Sequence, residues 1–263
     1  MKRVLITGAA GGIGAATAAA LRARGARVVG LDLHGDGDEV IECDVTDQES
    51  VDRAVAAAVE RLGGLDVLIN NAGIGNPQSA GAAPDDDAIR VVEVNMLGPW
   101  RVTSAAIGPL RETRGRVVNV ASGLAHVAFP FAPAYCMSKR GLTAYSDALR
   151  FEHGDAITVT TVYPGYIRTP IHETSQAAGL ALEGAIPAEK VEDAAGTLVR
   201  AALGPPKRDL ATTRAGTVQY LLARVSSRRL VDRVLAGRLK QLVKGGHFDR
   251  SDLAREFVSR SRA

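Results

Sequence analysis

The chain has 263 residues, of which 46% are hydrophobic and 23% are charged, and its formal net charge is +3. These values are ordinary for a globular protein and predict one large domain with a sizeable core. The only two cysteines, Cys43 and Cys136, argue against a disulfide framework and for a reducing, cytoplasmic location. No apolar stretch approaches the ~20 residues that span a bilayer. The short apolar run at the N-terminus indicates a first strand rather than a signal peptide.

Short β-rich runs alternate with helical patterns, which is typical of βαβ units on a parallel sheet. Strands are predicted at residues 3–7, 27–32, 40–44, 66–70, 116–121, 156–163 and 208–213. Helices are predicted at residues 12–24, 47–62, 86–113 with a break near Gly98 and Pro99, 134–153 and 187–203. Because the strands are almost continuously apolar, both faces of the sheet should be covered. We therefore predict an α/β fold with a doubly wound, Rossmann-like parallel sheet.

The connection between the second and third predicted strands does not fit this pattern. It consists only of the seven residues LHGDGDE, which are too few for a helical crossover. Either a helix is missing there, or one of the two strands is assigned wrongly.

The segment TGAAGGIG follows the first strand and opens the first helix. Gly8, Gly12 and Gly14 allow a tight turn, a bare backbone and close packing, so that a pyrophosphate can lie at the helix N-terminus. Asp32 ends the second strand, where its carboxylate can bind ribose hydroxyls and repel a 2′-phosphate. The sequence therefore favours NAD over NADP as the cofactor. The alternatives are an ordinary glycine turn and a solvated acid.

Ser122, Tyr135 and Lys139 form a second candidate constellation. Tyrosine has a reference pKa of about 10 and is a poor base at neutral pH. Lys139 lies four residues after Tyr135 and therefore on the same helix face. We expect its ammonium group, together with a positive nicotinamide ring, to lower the pKa of Tyr135 towards the working pH. A Tyr/Lys pair that only packs at the surface is the alternative.

The spacing from Thr7 to Gly14 resembles that of the short-chain dehydrogenase/reductase family. The resemblance continues, in the family's order, through CDVTD (43–47), NNAG (70–73), VNMLGPW (94–100), Ser122, YCMSK (135–139) and YPGYIRTP (163–170). Each motif alone is unspecific, but the set is highly specific and covers about residues 1–170.

The resemblance implies which residues hold the cofactor. Asp44 would contact the adenine amino group and Val45 the adenine ring, while the NNAG turn would line the adenosine ribose. Ile167 and Thr169 would lie near the nicotinamide carboxamide. The complete predicted set is Gly8, Gly12, Ile13, Gly14, Asp32, Asp44, Val45, Asn71, Ala72, Gly73, Tyr135, Lys139, Pro164, Gly165, Ile167 and Thr169.

The resemblance also implies the catalytic roles and the reaction. Tyr135 would be the acid/base, and Lys139 would lower its pKa and hold the nicotinamide ribose. Ser122 would position the substrate oxygen, and Asn95 would hold a water that passes protons between Lys139 and solvent. The reaction would interconvert a secondary alcohol and a ketone with NAD(H), and the family commonly forms homodimers or homotetramers.

The substrate pocket and the absence of a metal are further expectations. His126, Phe129, Tyr166 and His172 lie close in sequence to the catalytic motifs and are candidates for lining the pocket. The histidines show no metal-ligand spacing with the cysteines, so we predict no metal site.

The C-terminal part of the chain is chemically distinct from the rest. Residues 207–263 contain 14 Lys and Arg against 5 Asp and Glu, a net charge of +9, whereas the first 206 residues carry −6. We predict a catalytic domain over residues 1–213 and a basic, amphipathic helical extension over 214–263 packed on it. Packing on the core or on another subunit is favoured over contact with an anionic membrane. Nucleic acid is not expected, because interleaved aromatic residues are lacking.

Function classes other than a dehydrogenase also remain open. A protein that senses NAD(H) without turnover would share the cofactor motifs, although it would not need the base. A membrane-associated regulatory protein would use the basic extension, and a lipophilic substrate would suit an apolar lid over the cleft.

Overall fold

A computed structural model of the protein describes residues 1–35, 39–180 and 188–262. The strands are β1 (Arg3–Thr7), β2 (Arg27–Asp32), β3 (Val40–Glu42), β4 (Val67–Asn70), β5 (Arg116–Val120), β6 (Thr158–Tyr163), β7 (Tyr166–Ile167), β8 (Ala188–Glu189) and β9 (Asp209–Ala211). Seven of them form one sheet in the order β3-β2-β1-β4-β5-β6-β9, and every neighbouring pair is parallel. Strands β7 and β8 pair with each other in a separate small sheet.

The helices cover both faces of the large sheet. They are α1 (Gly12–Arg22), α2 (Gln48–Leu62), α3 (Asp86–Val92), α4 (Gly98–Glu112), α5 (Pro133–His153), α6 (Glu173–Ala177), α7 (Val191–Leu203), α8 (Arg214–Val225), α9 (Arg228–Lys244) and α10 (Arg255–Arg262). A π-helical turn, Glu93–Leu97, joins α3 to α4, and short 3₁₀ turns occupy Gly123–Ala125 and Pro170–His172.

The two core layers follow from the alternation of side chains along the strands. Val4 and Ile6 of β1 point to one face and pack in a cluster with Leu21 of α1 and Leu198 of α7. Leu5, between them, points to the other face and belongs to the cluster formed with α2, α4 and α5. The predicted doubly wound parallel sheet is therefore confirmed.

The short connection between β2 and β3 is explained by the pairing register. Both strands are present and parallel, so neither strand was assigned wrongly. Gly30 lies opposite Val40, and Asp32 lies opposite Glu42. The start of β3 therefore lies only about two residues, roughly 7 Å, back from the end of β2 along the strand direction. Seven residues suffice for that path without a helix; residues 36–38 of it lie outside the described part.

Several predicted boundaries shift. Strand β3 ends at Glu42 rather than residue 44, and α1 ends at Arg22. The helix predicted over residues 86–113 is interrupted by the π-helical turn immediately before the expected break. The helix predicted from residue 187 begins at Val191, since Ala188 and Glu189 form β8; residue 187 itself lies outside the described residues.

A buried polar network aligns α5 with the central strands. The side-chain nitrogen of Asn70 donates to Asn119 Oδ1 at 2.8 Å and to Thr103 Oγ1 at 3.0 Å. Asn119 in turn donates to Ser146 Oγ on α5 at 2.8 Å. Because unpaired buried amides are costly, these bonds fix the helix relative to β4 and β5.

Two groups of aromatic side chains join the C-terminal helices to the rest of the described chain. Tyr220 of α8 stacks on Tyr163 at the end of β6, with ring centroids 4.8 Å apart. Phe248, after α9, meets Phe131 and Phe257 in an apolar cluster that also contains Leu180. None of the helices in the described ranges is long and apolar enough to cross a membrane.

The two predicted apolar stripes of the extension behave differently. On α9, five members are at least partly buried: Val231, Leu235, Leu239, Leu242 and Val243. On α8, the whole stripe is exposed: Val218, Leu221, Leu222 and Val225. The α8 stripe therefore does not pack on the body of this chain, and contact with another subunit or a membrane remains as its explanation.

Candidate active site

The turn after β1 brings bare backbone to the carboxyl end of the sheet. Gly8 has a φ of +67°, and its amide donates to Leu31 O at 2.8 Å. Helix α1 starts at Gly12 without any capping side chain, and Ile13 anchors its first turn to the core. A Cβ on Gly14 would lie 1.8 Å from Gly8 O, so the turn and helix pack too closely for any side chain there.

Asp32 lies directly beside this turn. Its Oδ2 accepts a hydrogen bond from the amide of Ala10 at 2.8 Å. The carboxylate is therefore held at the end of β2, next to the segment from which α1 begins. The next residue, Leu33, is apolar and exposed. This arrangement places a negative charge where the sequence predicted it.

The segment after β3 holds Asp44 and Val45 near the same edge. Asp44 Oδ1 accepts from the amide of Thr46 at 2.9 Å and from its hydroxyl at 2.7 Å. Burial raises the pKa of Asp44, but these bonds and the charges of Arg90 and Arg101 outweigh it and lower the pKa overall. Val45 is buried against Gly98.

The turn after β4 is tied to the glycine turn. The amides of Asn71 and Ala72 both donate to Thr7 Oγ1 at 3.0 Å. The side chain of Asn71 donates to Thr7 O at 3.0 Å and to Gly8 O at 3.1 Å. Asn71 therefore holds the two turns together, and Gly73 follows beside the catalytic candidates. Uncapped amides, a bare backbone and a fixed carboxylate fit a dinucleotide.

Ser122 and Tyr135 are brought together from different elements. Ser122 lies two residues after β5 and caps the 3₁₀ turn, where its Oγ accepts from the amide of Leu124 at 3.2 Å. Its hydroxyl proton therefore stays available for donation. Ser122 is close enough to Tyr135 that its side chain lowers the pKa of the phenol against the effect of burial. A substrate oxygen at this pair would meet two hydroxyl groups.

Lys139 lies one turn further along α5 and is only 3% exposed. Its Nζ donates to Val120 O at 3.0 Å and lies 5.7 Å from the ring centroid of Tyr135. Burial lowers the pKa of Lys139 to about 8. The expected Tyr/Lys pair on one helix face is present, with Lys139 buried and Tyr135 partly buried.

The predicted lowering of the Tyr135 pKa by Lys139 and a positive nicotinamide ring stays a prediction. Among the groups of this chain, burial has the largest effect and raises the pKa of Tyr135 to about 12, while Ser122 counteracts it. Lys139 directs its ammonium group to a carbonyl oxygen rather than to the phenol.

Asn95 is fully buried in the π-helical turn. Its Oδ1 accepts from the amide of Ile74 at 2.8 Å, and its Nδ2 donates to Ile74 O at 2.9 Å. The side chain thus holds the segment after β4, and the role of Asn95 in holding a relay water stays a prediction. Its carbonyl oxygen lacks the usual α-helical partner, because Pro99, four residues later, has no amide proton.

The segment YPGYIRTP closes the site from the other side. Pro164 O accepts from the amide of Gly123 at 3.0 Å, which ties the segment to the turn after Ser122. Ile167 is buried, and the methyl carbon of Thr169 lies 3.5 Å from the position of a Cβ on Gly12. All predicted cofactor residues therefore lie along one edge of the sheet.

Glu189 is a residue that sequence reasoning missed. Its carboxylate accepts from the amide of Gly165 at 2.9 Å and from the hydroxyl of Thr213 at 2.9 Å, and it also bonds Thr212. It therefore links the YPGYIRTP segment to the start of α8. The sequence placed Glu189 in the first turn of a helix, where acids are common, so no signal pointed to this role.

Gln78 and Thr174 were also missed. Gln78 is 8% exposed, and neither its side-chain nitrogen nor its oxygen has a hydrogen-bond partner in the described part of the chain. Its backbone amide donates to Phe131 O at 3.0 Å, so it lies against the segment that leads into α5. Thr174 donates to Gly75 O at 2.8 Å and fastens α6 over the end of β4. Single polar residues in loops carry no spacing signal.

The four predicted pocket residues lie in three separate groups. The ring of His126 contacts the rings of Tyr163 and Tyr220, each with centroids 4.9 Å apart. The rings of Tyr166 and His172 are 4.8 Å apart. Phe129 packs in the apolar cluster of Phe248. Their contact with a substrate stays a prediction.

Within the described ranges, no group of three or more His, Cys, Asp or Glu side chains is arranged so that it could hold a metal ion. Both cysteines are buried and unpaired. The absence of a metal from the functional protein remains a prediction.

Comparisons with known proteins agree with the motifs. A family model described as short chain dehydrogenase matches residues 2–179. The trans-4-hydroxycyclohexanecarboxylate dehydrogenase of Sinomonas cyclohexanicum is 36% identical over 191 residues, which are 65% of this chain and 74% of that enzyme. The 17-beta-hydroxysteroid dehydrogenase type 6 of Homo sapiens is 37% identical over 190 residues, 66% of this chain and 60% of that enzyme.

A solved structure gives the same result for the fold. A short chain dehydrogenase from Burkholderia cenocepacia, in complex with NADP, aligns with a TM-score of 0.76 at 27% identity and covers 89% of this chain and 100% of that one. The resemblance inferred from the sequence motifs is confirmed.

We expect Gly14→Ala to destabilise the protein, because its Cβ would lie 1.8 Å from Gly8 O. Overpacking of this kind costs about 1–3 kcal/mol of the free energy of unfolding. Gly11→Ala is the matched control, since a Cβ there meets no atom within 4 Å. Denaturant unfolding of both variants checks this, and equal midpoints would contradict the close packing of the turn on α1.

Proposed function

Since the chain belongs to the short-chain dehydrogenase family, whose fold binds a nicotinamide nucleotide, we propose that it interconverts a secondary alcohol and a ketone with NAD(H). The single observation that supports this best is the meeting of Ser122, Tyr135 and Lys139. The side chain of Ser122 interacts with the Tyr135 phenol and lowers its pKa, and the buried amine of Lys139 lies 5.7 Å from the centroid of the phenol ring. A protein that only sensed the cofactor would not need this arrangement.

Tyr135 moves the proton in the proposed mechanism. In the reducing direction, Tyr135 Oη gives its proton to the carbonyl oxygen, while the hydroxyl of Ser122 donates to the same oxygen and stabilises its developing charge. In the oxidising direction, Tyr135 takes the proton of the alcohol. The nicotinamide, when bound, exchanges a hydride with the substrate carbon.

Lys139 and Asn95 complete the proposed proton path. Because the pKa of Lys139 is lowered to about 8 by burial, its ammonium group can give up and regain a proton near neutral pH. The carbonyl oxygen of Asn95, which has no helical partner from Pro99, would hold the relay water. We propose the backbone of Asn95 for this role because its side chain is hydrogen-bonded to the backbone of Ile74.

The finer assignment of the cofactor as NAD rests on Asp32. Its carboxylate lies beside the glycine turn, where it would bind the ribose hydroxyls and repel a 2′-phosphate. The exposed neighbour, Leu33, offers no positive charge to such a phosphate. The Burkholderia structure contains NADP, so the preference is a property to be tested in this chain.

A lipophilic substrate is proposed from the apolar surroundings of the catalytic segment. Phe129 and Phe131 precede α5 and pack with Leu180 and with Phe248 and other apolar residues of the C-terminal extension. The buried, unpaired amide of Gln78 adjoins this cluster through Phe131. A largely apolar alcohol or ketone with one further polar group would suit such a pocket.

We also propose that the protein forms a homodimer or homotetramer through α4 and α5. A groove of about 410 Å³ lies between these helices, and Trp100 stacks on Tyr145 at its edge. Trp100 is exposed, and so is Phe151 near the end of α5. Exposed aromatic side chains of this kind are typical of subunit interfaces. A cytoplasmic location remains a prediction.

Tyr135→Phe tests the proposed reaction directly. We expect it to lower kcat/KM for alcohol oxidation by about 10²–10⁴-fold, because general acid–base catalysis contributes that much. Tyr145→Phe on the same helix is the control and should retain turnover. The assay measures NADH formation with secondary alcohols from small to steroid-like. Undiminished turnover in Tyr135→Phe would contradict the catalytic assignment.

The pH dependence should appear in the oxidising direction. Oxidation releases a proton, so the ratio of the rate of oxidation to the rate of reduction must change about tenfold per pH unit. A Tyr135 pKa of about 12 keeps the phenol protonated at pH 6–8. The rate of oxidation should therefore rise with pH while the rate of reduction stays flat. A rate of reduction that falls over this range would show that the pKa of Tyr135 is below it.

Replacing Asp32 should change the cofactor preference. We expect Asp32→Ser to weaken NAD binding about tenfold, since charge-assisted hydrogen bonds are worth about 1.5–3 kcal/mol, and to strengthen NADP binding. Glu42→Ser is the control. Glu42 lies opposite Asp32 on β3, so this substitution removes the same charge from a neighbouring position. Fluorescence titration with NADH and NADPH measures both. An unchanged ratio of the NADH and NADPH affinities in Asp32→Ser would overturn the assignment of NAD.

A further inference from the structure

Helix α8 presents an apolar face that no part of the described chain covers. Val218, Leu221, Leu222 and Val225 recur at the spacing of one helix face. All four are exposed, and the values reach 56% for Leu222 and 79% for Val225. Large apolar side chains exposed singly are common, but a contiguous row of them marks an interaction site.

Helix α9 continues this surface with apolar and basic residues. Ser226 and Ser227 alone separate it from α8. Leu230 and Val234 lie one turn apart and are exposed. The exposed basic side chains of α9 are Arg228, Arg229, Arg233, Arg238, Lys240 and Lys244, and the helix contains one acid, Asp232. We call the exposed apolar and basic residues of both helices the α8–α9 surface.

The inner sides of both helices are held by the body, so the orientation of this surface is fixed. Tyr220, on the opposite side of α8 from Val218, stacks on Tyr163. On α9, Val243 is buried, and Leu239 and Leu242 pack with Phe248. The outward residues are therefore left exposed by the packing itself.

We propose that the α8–α9 surface docks on an anionic phospholipid bilayer. An apolar row flanked by arginine and lysine is the composition of helices that lie in the membrane interface. The apolar side chains would enter the acyl boundary, and the basic side chains would bind the negative headgroups. The helices lie on the membrane rather than span it, since none in the described ranges is long and apolar enough to cross.

Charge complementarity favours a bilayer over a second copy of the chain or a nucleic acid as the partner of this surface. A two-fold contact with a second copy would bring each basic patch against itself, because such interfaces use the same surface on both subunits. Like charges would then repel. Nucleic acid would match the basic residues but would leave the apolar row of α8 without a partner. An anionic bilayer satisfies both parts of the surface.

Vesicle co-sedimentation of the full-length protein tests the proposal. The wild type should bind vesicles of mixed phosphatidylcholine and phosphatidylglycerol, and it should bind pure phosphatidylcholine vesicles weakly. Leu222→Glu should lower the partition coefficient about 10- to 100-fold, because it removes one buried apolar contact and adds repulsion. Ile89→Glu on α3 is the matched control, since Ile89 is 53% exposed and lies outside the surface.

A second variant tests the headgroup contacts. Replacing Arg229, Arg233 and Lys240 together by glutamine should lower anionic-vesicle binding on the order of 100-fold, since each such charge near the surface contributes about 1 kcal/mol. The control replaces three exposed basic residues of the body, Lys2, Arg53 and Arg111, by glutamine and should bind as the wild type does. Alcohol turnover in solution should be unchanged in both triple variants.

Each other outcome overturns the proposal. Absence of wild-type binding to anionic vesicles, or equal binding of Leu222→Glu and Ile89→Glu, would show that the surface does not meet lipid. A smaller oligomer of Leu222→Glu in analytical ultracentrifugation, without vesicle binding by the wild type, would assign the surface to a second copy. Displacement of vesicle-bound wild type by duplex DNA at matched charge would assign it to nucleic acid.

Discussion

The parallel direction of all seven strands is the constraint on which the site depends. It forces the carboxyl ends of the strands to one edge, so the turns after β1, β4, β5 and β6 meet there. Their approach leaves little space: a Cβ on Gly8 would lie 2.8 Å from the Cα of Ala72. Thr7 and Asn71 then fasten the two turns with hydrogen bonds. The glycines are required by this crossing of the backbone as well as by a nucleotide.

The sequence predicted the parts of the site whose signals are local. The glycine turn, Asp32 at a strand end and the Tyr135/Lys139 interval each follow from neighbouring residues, and the structure places them at one edge. Glu189 and Gln78 could not be predicted in this way. The contacts of Glu189 reach Gly165 and Thr213, which lie 24 residues away on either side. The role of Glu189 therefore depends on the fold rather than on sequence spacing. For the same reason, the sequence alone could not show whether the apolar stripe of α8 is exposed or packed.

Burial shifts the pKa values of Tyr135 and Lys139 in opposite directions. It raises the pKa of Tyr135 to about 12 and lowers that of Lys139 to about 8. Both shifts have the same cause, because burial disfavours the charged form of each group. A protonated Tyr135 suits the proposed donation of a proton to a ketone, and a lysine with a lowered pKa suits the proposed proton relay.

The contacts of the C-terminal extension connect the α8–α9 surface to the cofactor segment. Thr213 caps α8 and also bonds Glu189, which in turn holds the amide of Gly165. Tyr220 stacks on Tyr163, the first residue of the YPGYIRTP segment. A force on the outer face of α8 would therefore be transmitted through these few contacts to the segment that we propose holds the nicotinamide. Because Phe248 and Phe131 also join the extension to the catalytic segment, docking of the outer face would bring an apolar substrate pocket close to the lipid in which such substrates dissolve.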